Sequence, residues 1–176
     1  YANTTGHGII GKHNLSKHNL TFRETSVLLN SRLKLDGSMN LMRQVVKNKP
    51  TVGGFYMNPL VGLYRFPRGE DIAYYKENFE VYDEGRNLNI QNWHTSYEDF
   101  EQNPYWITNR ILSKENRMHV IVSLSANLKI NDWLSLQARG NVDYINDKVR
   151  QQFYASTAPA LAGANGRYIE MDYQET

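Results

Sequence analysis

Apolar residues recur at every second position across two neighbouring stretches of the chain. Met118, Val120, Val122, Leu124, Ala126 and Leu128 share one parity, while His119, Ser123, Ser125, Asn127 and Lys129 share the other, and only Ile121 breaks the alternation. After Ile130-Asn131-Asp132 the pattern resumes, with Leu134, Leu136, Ala138, Gly140, Val142 and Tyr144 set against Ser135, Gln137, Arg139, Asn141 and Asp143. A period of two means a strand with one apolar face. Asn and Asp between the stretches supply turn chemistry, because their side chains bond the local backbone and tolerate left-handed geometry. With a hairpin centred on Asn131, Leu128 is set opposite Leu134 and Val120 opposite Val142, so both apolar sets fall on one side of the sheet.

A second hairpin is predicted upstream. Leu33, Leu35, Met39 and Leu41 alternate with Arg32, Lys34, Asp36, Ser38 and Asn40. The segment before it, His18 to Leu28, is rich in Thr, Phe and Val but alternates poorly, with Glu24 on the face of Leu20 and Phe22. Leu29-Asn30-Ser31 is its tight turn. The expected strands cover about 16–28, 32–46, 115–129 and 133–150, roughly 13–16 residues or more each, against ~5–6 in ordinary globular sheets.

The connections are unequal: two short turns, near Asn30 and Asn131, alternate with a connection spanning 47–112. Long strands with short turns at one end and long loops at the other describe an all-β fold, an antiparallel transmembrane β-barrel segment. The short turns are then periplasmic; the 47–112 loop and the segment after Gln151 are extracellular. The loop is expected to carry short helices. Ile72, Tyr75 and Phe79 have helical spacing with Asp71 in a first turn, and Ser96 with Asp99 forms a capping box for a helix that Asn103-Pro104 would end. Tyr1-Ala2-Asn3-Thr4-Thr5 begins as though inside a strand, and Tyr168 to Thr176 stops without a turn or cap, so both ends are expected to be cuts through structure.

Composition narrows the classes. A formal charge of +2 with interspersed signs and no basic patch gives no reason to expect nucleic acid. No cysteine is present, which removes disulfides, thiolate metal sites and thiol catalysis. A mean hydropathy of -0.62 and the absence of a long apolar run exclude a spanning helix but not a spanning strand, whose two faces average to a polar value.

Several runs resemble the SusC/RagA family of TonB-dependent transporters: Asn103-Pro104-Tyr105-Trp106 before a strand, Asp132-Trp133-Leu134-Ser135-Leu136 after a turn, and Phe153-Tyr154-Ala155-Ser156-Thr157 leading to Leu161–Gly166. Leu15 to Arg23, Gly53-Gly54-Phe55-Tyr56 followed by Met57 to Leu60, and Phe66-Pro67-Arg68-Gly69 are similar to the same family's barrel region, in consistent order over nearly the whole chain. The resemblance implies an outer-membrane importer of Bacteroidetes-type bacteria, with a plugged barrel of about 22 strands. It implies energy from the TonB complex, a SusD-like surface lipoprotein as lid, and oligosaccharides, or peptides, as cargo. Residues 1–176 would be part of that barrel, with the plug domain and the remaining strands outside them.

No catalytic residue, cofactor or metal is expected. The five histidines lack helical i,i+4 ligand spacing, Glu98, Asp99 and Glu101 read as a polar helix face, and no nucleophile elbow occurs. Gly163 to Gly166 reads as a loop turn. The loop aromatics Tyr64, Trp93, Tyr97, Tyr105 and Trp106 are candidates to stack on sugars or meet a lid protein, set against packing within the loop itself. His119, Arg139, Asn141 and Asp143 are expected to face the lumen. Trp133, just inside a short turn, is expected as an interfacial anchor in outer-membrane lipid. The competing reading is a soluble β-sandwich that binds carbohydrate, since an apolar face can meet a second sheet as well as lipid. The barrel reading expects these 176 residues, expressed alone, to aggregate or to require detergent; size-exclusion chromatography showing a monodisperse, cooperatively melting soluble protein would count against it.

Overall fold

A computed structural model describes residues 1–51, 56–95, 101–162 and 169–175. Six strands make one antiparallel sheet in the order β1-β2-β3-β6-β7-β8: β1 Ala2–His7, β2 Asn14–Leu28, β3 Leu33–Lys47, β6 Ile111–Lys129, β7 Ser135–Phe153 and β8 Ile169–Glu175. Between β3 and β6 lie α1 Pro59–Arg65, α2 Ile72–Glu77, the hairpin β4 Glu80–Asp83 with β5 Leu88–Gln91, and α3 Pro104–Arg110; α4 Pro159–Ala162 follows β7. The fold is all-β and antiparallel in its main body, as the alternation requires.

β6 and β7 run 19 residues each: β6 starts four residues before its predicted limit and ends at it, while β7 starts two residues inside its predicted limit and ends three beyond. The register differs from the expected one. Leu128 lies opposite Leu136, not Leu134, and Val120 opposite Tyr144, not Val142. The cause is the turn: residues 130–134 form a five-residue connection closed by Ile130 N–H and Asn131 N–H donating to the Leu134 carbonyl, with Asn131 Oδ1 accepting from the N–H groups of Trp133 and Leu134. That Asx arrangement holds two more residues in the loop than a turn centred on Asn131 allows. A slip of two keeps every side chain on its face, which is why the facing survives the error.

The β2–β3 turn is tighter. Leu29, Asn30 and Ser31 all take positive φ, 54°, 52° and 69°, and Arg32 N–H donates to the Leu29 carbonyl. Asn suits that geometry; Leu does so at a steric cost. Leu28 and Leu33 close the ladder above it. We call this end of the sheet, shared by both short turns, the turn end, and the opposite end the loop end.

Cross-strand register then sorts the sheet into two faces. One carries Leu20 and Phe22 from β2, Leu33, Leu35, Met39 and Leu41 from β3, Val120 to Leu128 from β6, and Leu136, Ala138, Val142 and Tyr144 from β7. Leu124 is 60% exposed and Val142 62%. The other face is polar along the same span and becomes apolar only at the loop end, where Ile111, Phe153 and Ile169 stand side by side on three adjacent strands.

The described core sits there. Trp106 and Ile107 of α3 and Ala162 of α4 pack on Ile111 and Phe153, with Met57, Phe79, Leu161, Ile169 and Met171 around them. The 47–112 connection is thus a cap folded onto the loop end of the polar face. α3 begins where the sequence placed a helix end: Asn103 caps it, accepting from Tyr105 N–H at 2.8 Å, and Pro104 opens it. Pro at a first helical position loses no hydrogen bond and presets φ, so Asn-Pro starts this helix rather than stopping one. α2 forms as expected, capped by Asp71 through Ala73 N–H. The helix start at Ser96 and Asp99, and the turn at Gly163 to Gly166, lie outside the described residues.

Replacing Trp106 by Ala should cost the cap about 3–5 kcal/mol, the range for emptying a buried aromatic site. Amide hydrogen exchange should show α3 and β4–β5 opening, with the middle of the β6–β7 ladder unchanged.

Candidate functional site: the loop cap and the polar sheet face

The cap is held by buried amides as much as by its hydrophobic cluster. Gln91, Gln102, Asn103, Ser156 and Thr157 are all buried. Gln91 N–H donates to Ser156 Oγ at 3.0 Å, and Gln91 Oε1 accepts from Asn103 N–H at 2.7 Å. Asn103 Nδ2 donates to the carbonyls of Tyr75 and Asn92 at 3.0 and 2.7 Å, Gln102 Nε2 donates to the Tyr56 carbonyl, and Gln102 Oε1 accepts from Ala158 N–H. Two side chains thereby tie together the ends of α2, β5 and β7 and the start of α1. α1 comes close to this seam at Gly62, where an added Cβ would stand 2.7 Å from the Gln102 carbonyl oxygen.

Charge is spent in the same region. Arg110 makes a two-pronged contact with Glu80, 2.8 and 2.7 Å, and lies over the rings of Phe79 and Tyr154. The Glu80 carboxylate raises the Arg110 pKa, chiefly through those hydrogen bonds. Tyr75 donates to Glu70 Oε2 at 2.7 Å, and that bond, with burial, pushes its phenol up to about 12. Glu101 is buried with its oxygens 3.0 Å from His94 Nε2 and 3.1 Å from Arg65 Nε, though neither contact has hydrogen-bond angles.

The loop aromatics divide. Trp106 is 1% exposed and donates its indole N–H to Thr157 Oγ1 at 3.1 Å, so it belongs to the core and presents no surface to a ligand or lid. Trp93 is half-buried in a cluster with Phe66, Tyr75 and His94, ring centroids 4.8–5.3 Å from it, and its Nε1 has no partner among the described residues. Tyr105 is half-buried in the first turn of α3. Tyr64, at 87% exposure on α1, stands free in solvent. Tyr97 lies outside the described residues. The five are therefore not one platform; Tyr64 and the Trp93 cluster are the parts that offer ring surface.

His119, Arg139, Asn141 and Asp143 do share one face of the sheet. His119 Nε2 and Asp143 Oδ1 are 2.6 Å apart, and Arg139, Asn141 and Asp143 line one shallow groove with Asp36, Ser123 and Ser125. Arg117 meets Asp147 through two bonds, 2.7 and 2.6 Å, and Arg23 meets Asp36 at 2.9 Å. Such a surface offers hydroxyl, amide and paired charged groups, suited to hydrogen-bonding polyols or water. Among the described residues no three His, Asp or Glu side chains converge as a metal site would. Trp133 projects from the turn end at 82% exposure.

Sequence reasoning passed over the buried amide seam and read Glu101 as part of a polar helix face, whereas it is buried and lies before α3; a buried Gln or Glu has no periodic signature. Asn103-Pro104 was the one usable signal, as an N-cap followed by a first-turn proline. No protein-family model matches the chain, and no curated protein matches it either.

Asn103→Ala removes a helix cap and leaves two buried carbonyls without donors, which should destabilise the cap by about 2–4 kcal/mol. Limited proteolysis should then cut within 56–110 far faster, and an unchanged cleavage rate would show that the seam does not hold the cap.

Proposed function

We propose that these residues form part of the wall of an outer-membrane β-barrel, with the cap folded on the lumen side at its extracellular end. The observation that carries this reading is the height of the uncovered apolar band. From Leu128 to Val120 the face stays free of polar side chains on β3, β6 and β7, interrupted by Ser26 and Glu24 on β2. That span is about 26 Å of strand at ~3.3 Å per residue, or about 20 Å across a bilayer at a barrel tilt of ~40°; on β6 alone it reaches Met118, about 25 Å. That range comes up to the ~25 Å lipid-facing band of outer-membrane barrels.

Three further features support it. Aromatic side chains mark both limits of the band: Trp133 below, Tyr144 above on the same face, and Tyr1 bonded to His18 beside it. On the polar face Arg23, Arg117 and His119 each meet a carboxylate, an arrangement a water-filled lumen wall permits. The band also meets no second layer among the described residues, whereas a sandwich would bury it. Among the described residues no helix is long and apolar enough to cross a membrane, so any crossing is made by strands. β1 and β8 are the edges at which further strands would continue the barrel.

The resemblance to SusC/RagA transporters gives this wall its task. The protein is then a component of a TonB-dependent nutrient importer working with a SusD-like lipoprotein, its cargo oligosaccharide or peptide, and not an enzyme. The polar groove at Arg139, Asn141 and Asp143 lines the cargo path, and Tyr64 with the Trp93 cluster faces cargo or lid.

The chain has no cysteine, so single labels report cleanly. Spin labels at Leu124, Val142 and Leu136 in lipid vesicles should be accessible to dissolved oxygen and shielded from a polar nickel chelate, and labels at Ser125, Asn141 and Arg139 the reverse. Equal accessibility to the chelate on both faces would refute a membrane wall.

A further inference from the structure

Above the apolar band, on the same face, register brings cations together. Lys47 lies directly opposite Lys114, and Lys114 directly opposite Arg150, a row across three neighbouring strands. One step nearer the band, Lys148 lies opposite Asn116; one further, Arg43 lies opposite Met118, its guanidinium 3.5 Å from Asn116 Oδ1. Like charges directly opposite each other in a sheet are destabilising. Adjacent strands are only about 4.8 Å apart.

Counter-charge on this face is short. Arg150 is met by Asp172 and Glu170 at 2.8 and 3.2 Å. Lys148 gains only a longer-range attraction to Asp172. Lys47 and Lys114, both exposed, form no ion pair among the described residues. At the same height on the polar face the charges are matched instead: Lys49 with Glu115 at 3.8 Å and Arg117 with Asp147 at 2.6 Å. The excess of positive charge is thus confined to the apolar side.

Its height is informative. Lys148 and Lys114 stand two and four residues beyond the Met118 row, about 7 and 13 Å along the strand. Long side chains there reach the headgroup layer while their stems lie along apolar surface. A shallow groove lined by Lys114, Asn116, Lys148, Arg150, Gln174 and the carboxylate of Asp172, which Arg150 engages, opens at this point.

We propose that Lys47, Lys114, Lys148 and Arg150 seat the phosphate of a membrane lipid headgroup at the loop-end rim of the apolar band. The phosphate supplies the missing counter-charge, and the adjoining Val120, Val142 and Tyr144 surface takes the acyl chains. The inference rests on the membrane reading and adds a ligand class to it. A phosphate-bearing amphiphile is favoured over a free anion because the cations border an apolar surface of bilayer height.

The test reconstitutes the protein in phosphatidylcholine vesicles containing a minority of phosphatidic acid, and measures by spin-label resonance how strongly labelled phosphatidic acid is retained over labelled phosphatidylcholine. The triple variant Lys47→Gln, Lys114→Gln and Lys148→Gln should lower that preference by about tenfold or more, from the attraction of each surface cation to anionic lipid. Lys49→Gln, on the other face, should leave it unchanged. Equal retention by wild type and triple variant, with the Leu124/Ser125 accessibility contrast intact, overturns the headgroup site and leaves the membrane wall standing. Displacement of the labelled lipid by inorganic phosphate as effectively as by phosphatidic acid also overturns it, in favour of a free-anion site. Loss of the Leu124/Ser125 contrast in the wild type removes the membrane reading and this inference together.

Discussion

A pleated ladder gives each side chain one of two sides, and hydrogen bonding across four long strands leaves no freedom to change sides midway. β2, β3, β6 and β7 are paired without a break in parity, so Phe22, Met39, Val122 and Val142 form a single row, and Leu33, Leu128 and Leu136 another. Each row is repeated two residues on. The apolar band, the paired charges behind it and the cation row above it all follow from that one constraint. A slip of one residue on any strand would interleave the sets and leave neither face with a consistent solvent.

The cap obeys a different economy. Its hydrophobic cluster is small: Trp106, Ile107, Ile111, Phe153 and Ala162. A cluster of that size holds irregular segments in place only if their buried backbone groups also find partners. Gln91, Gln102 and Asn103 provide them, each bonding main-chain atoms from segments far apart in sequence. Position then becomes specific, since an amide that misses its carbonyl costs more than a methyl group that shifts slightly. The two halves meet at Ile111, the last residue of the loop and the first of β6, which belongs to the cluster and to the ladder at once.

Electrostatics divides the sheet the same way. Cations on the polar face are met by carboxylates on neighbouring strands, Arg23 by Asp36, Arg117 by Asp147 and His119 by Asp143. On the apolar side Arg150 is met by Asp172 and Glu170, while Lys47 and Lys114 have no ion pair among the described residues. On the membrane reading we propose, the two faces would meet different partners, lipid on one side and an aqueous channel on the other.

The four long strands, their facing, the short turns and the sharing of one polar face by His119, Arg139, Asn141 and Asp143 were legible in the sequence, because period two and turn chemistry are local properties. Asp71 as a cap was legible for the same reason; the small β4–β5 hairpin was not. Register was not, because Asn131 signals a turn without stating its length; the Asx bonds that retain two extra residues exist only once Trp133 and Leu134 are placed. Nor was the fate of Trp106, indistinguishable by type from Trp93 or Tyr64 until α3 is laid against Phe153. The buried seam of Gln91, Gln102 and Asn103 and the row of Lys47, Lys114 and Arg150 depend on residues brought together from distant parts of the chain. Local pattern therefore determined which way each strand residue faces, and tertiary packing alone decided which residues meet, since that depends on partners no neighbouring stretch of sequence contains.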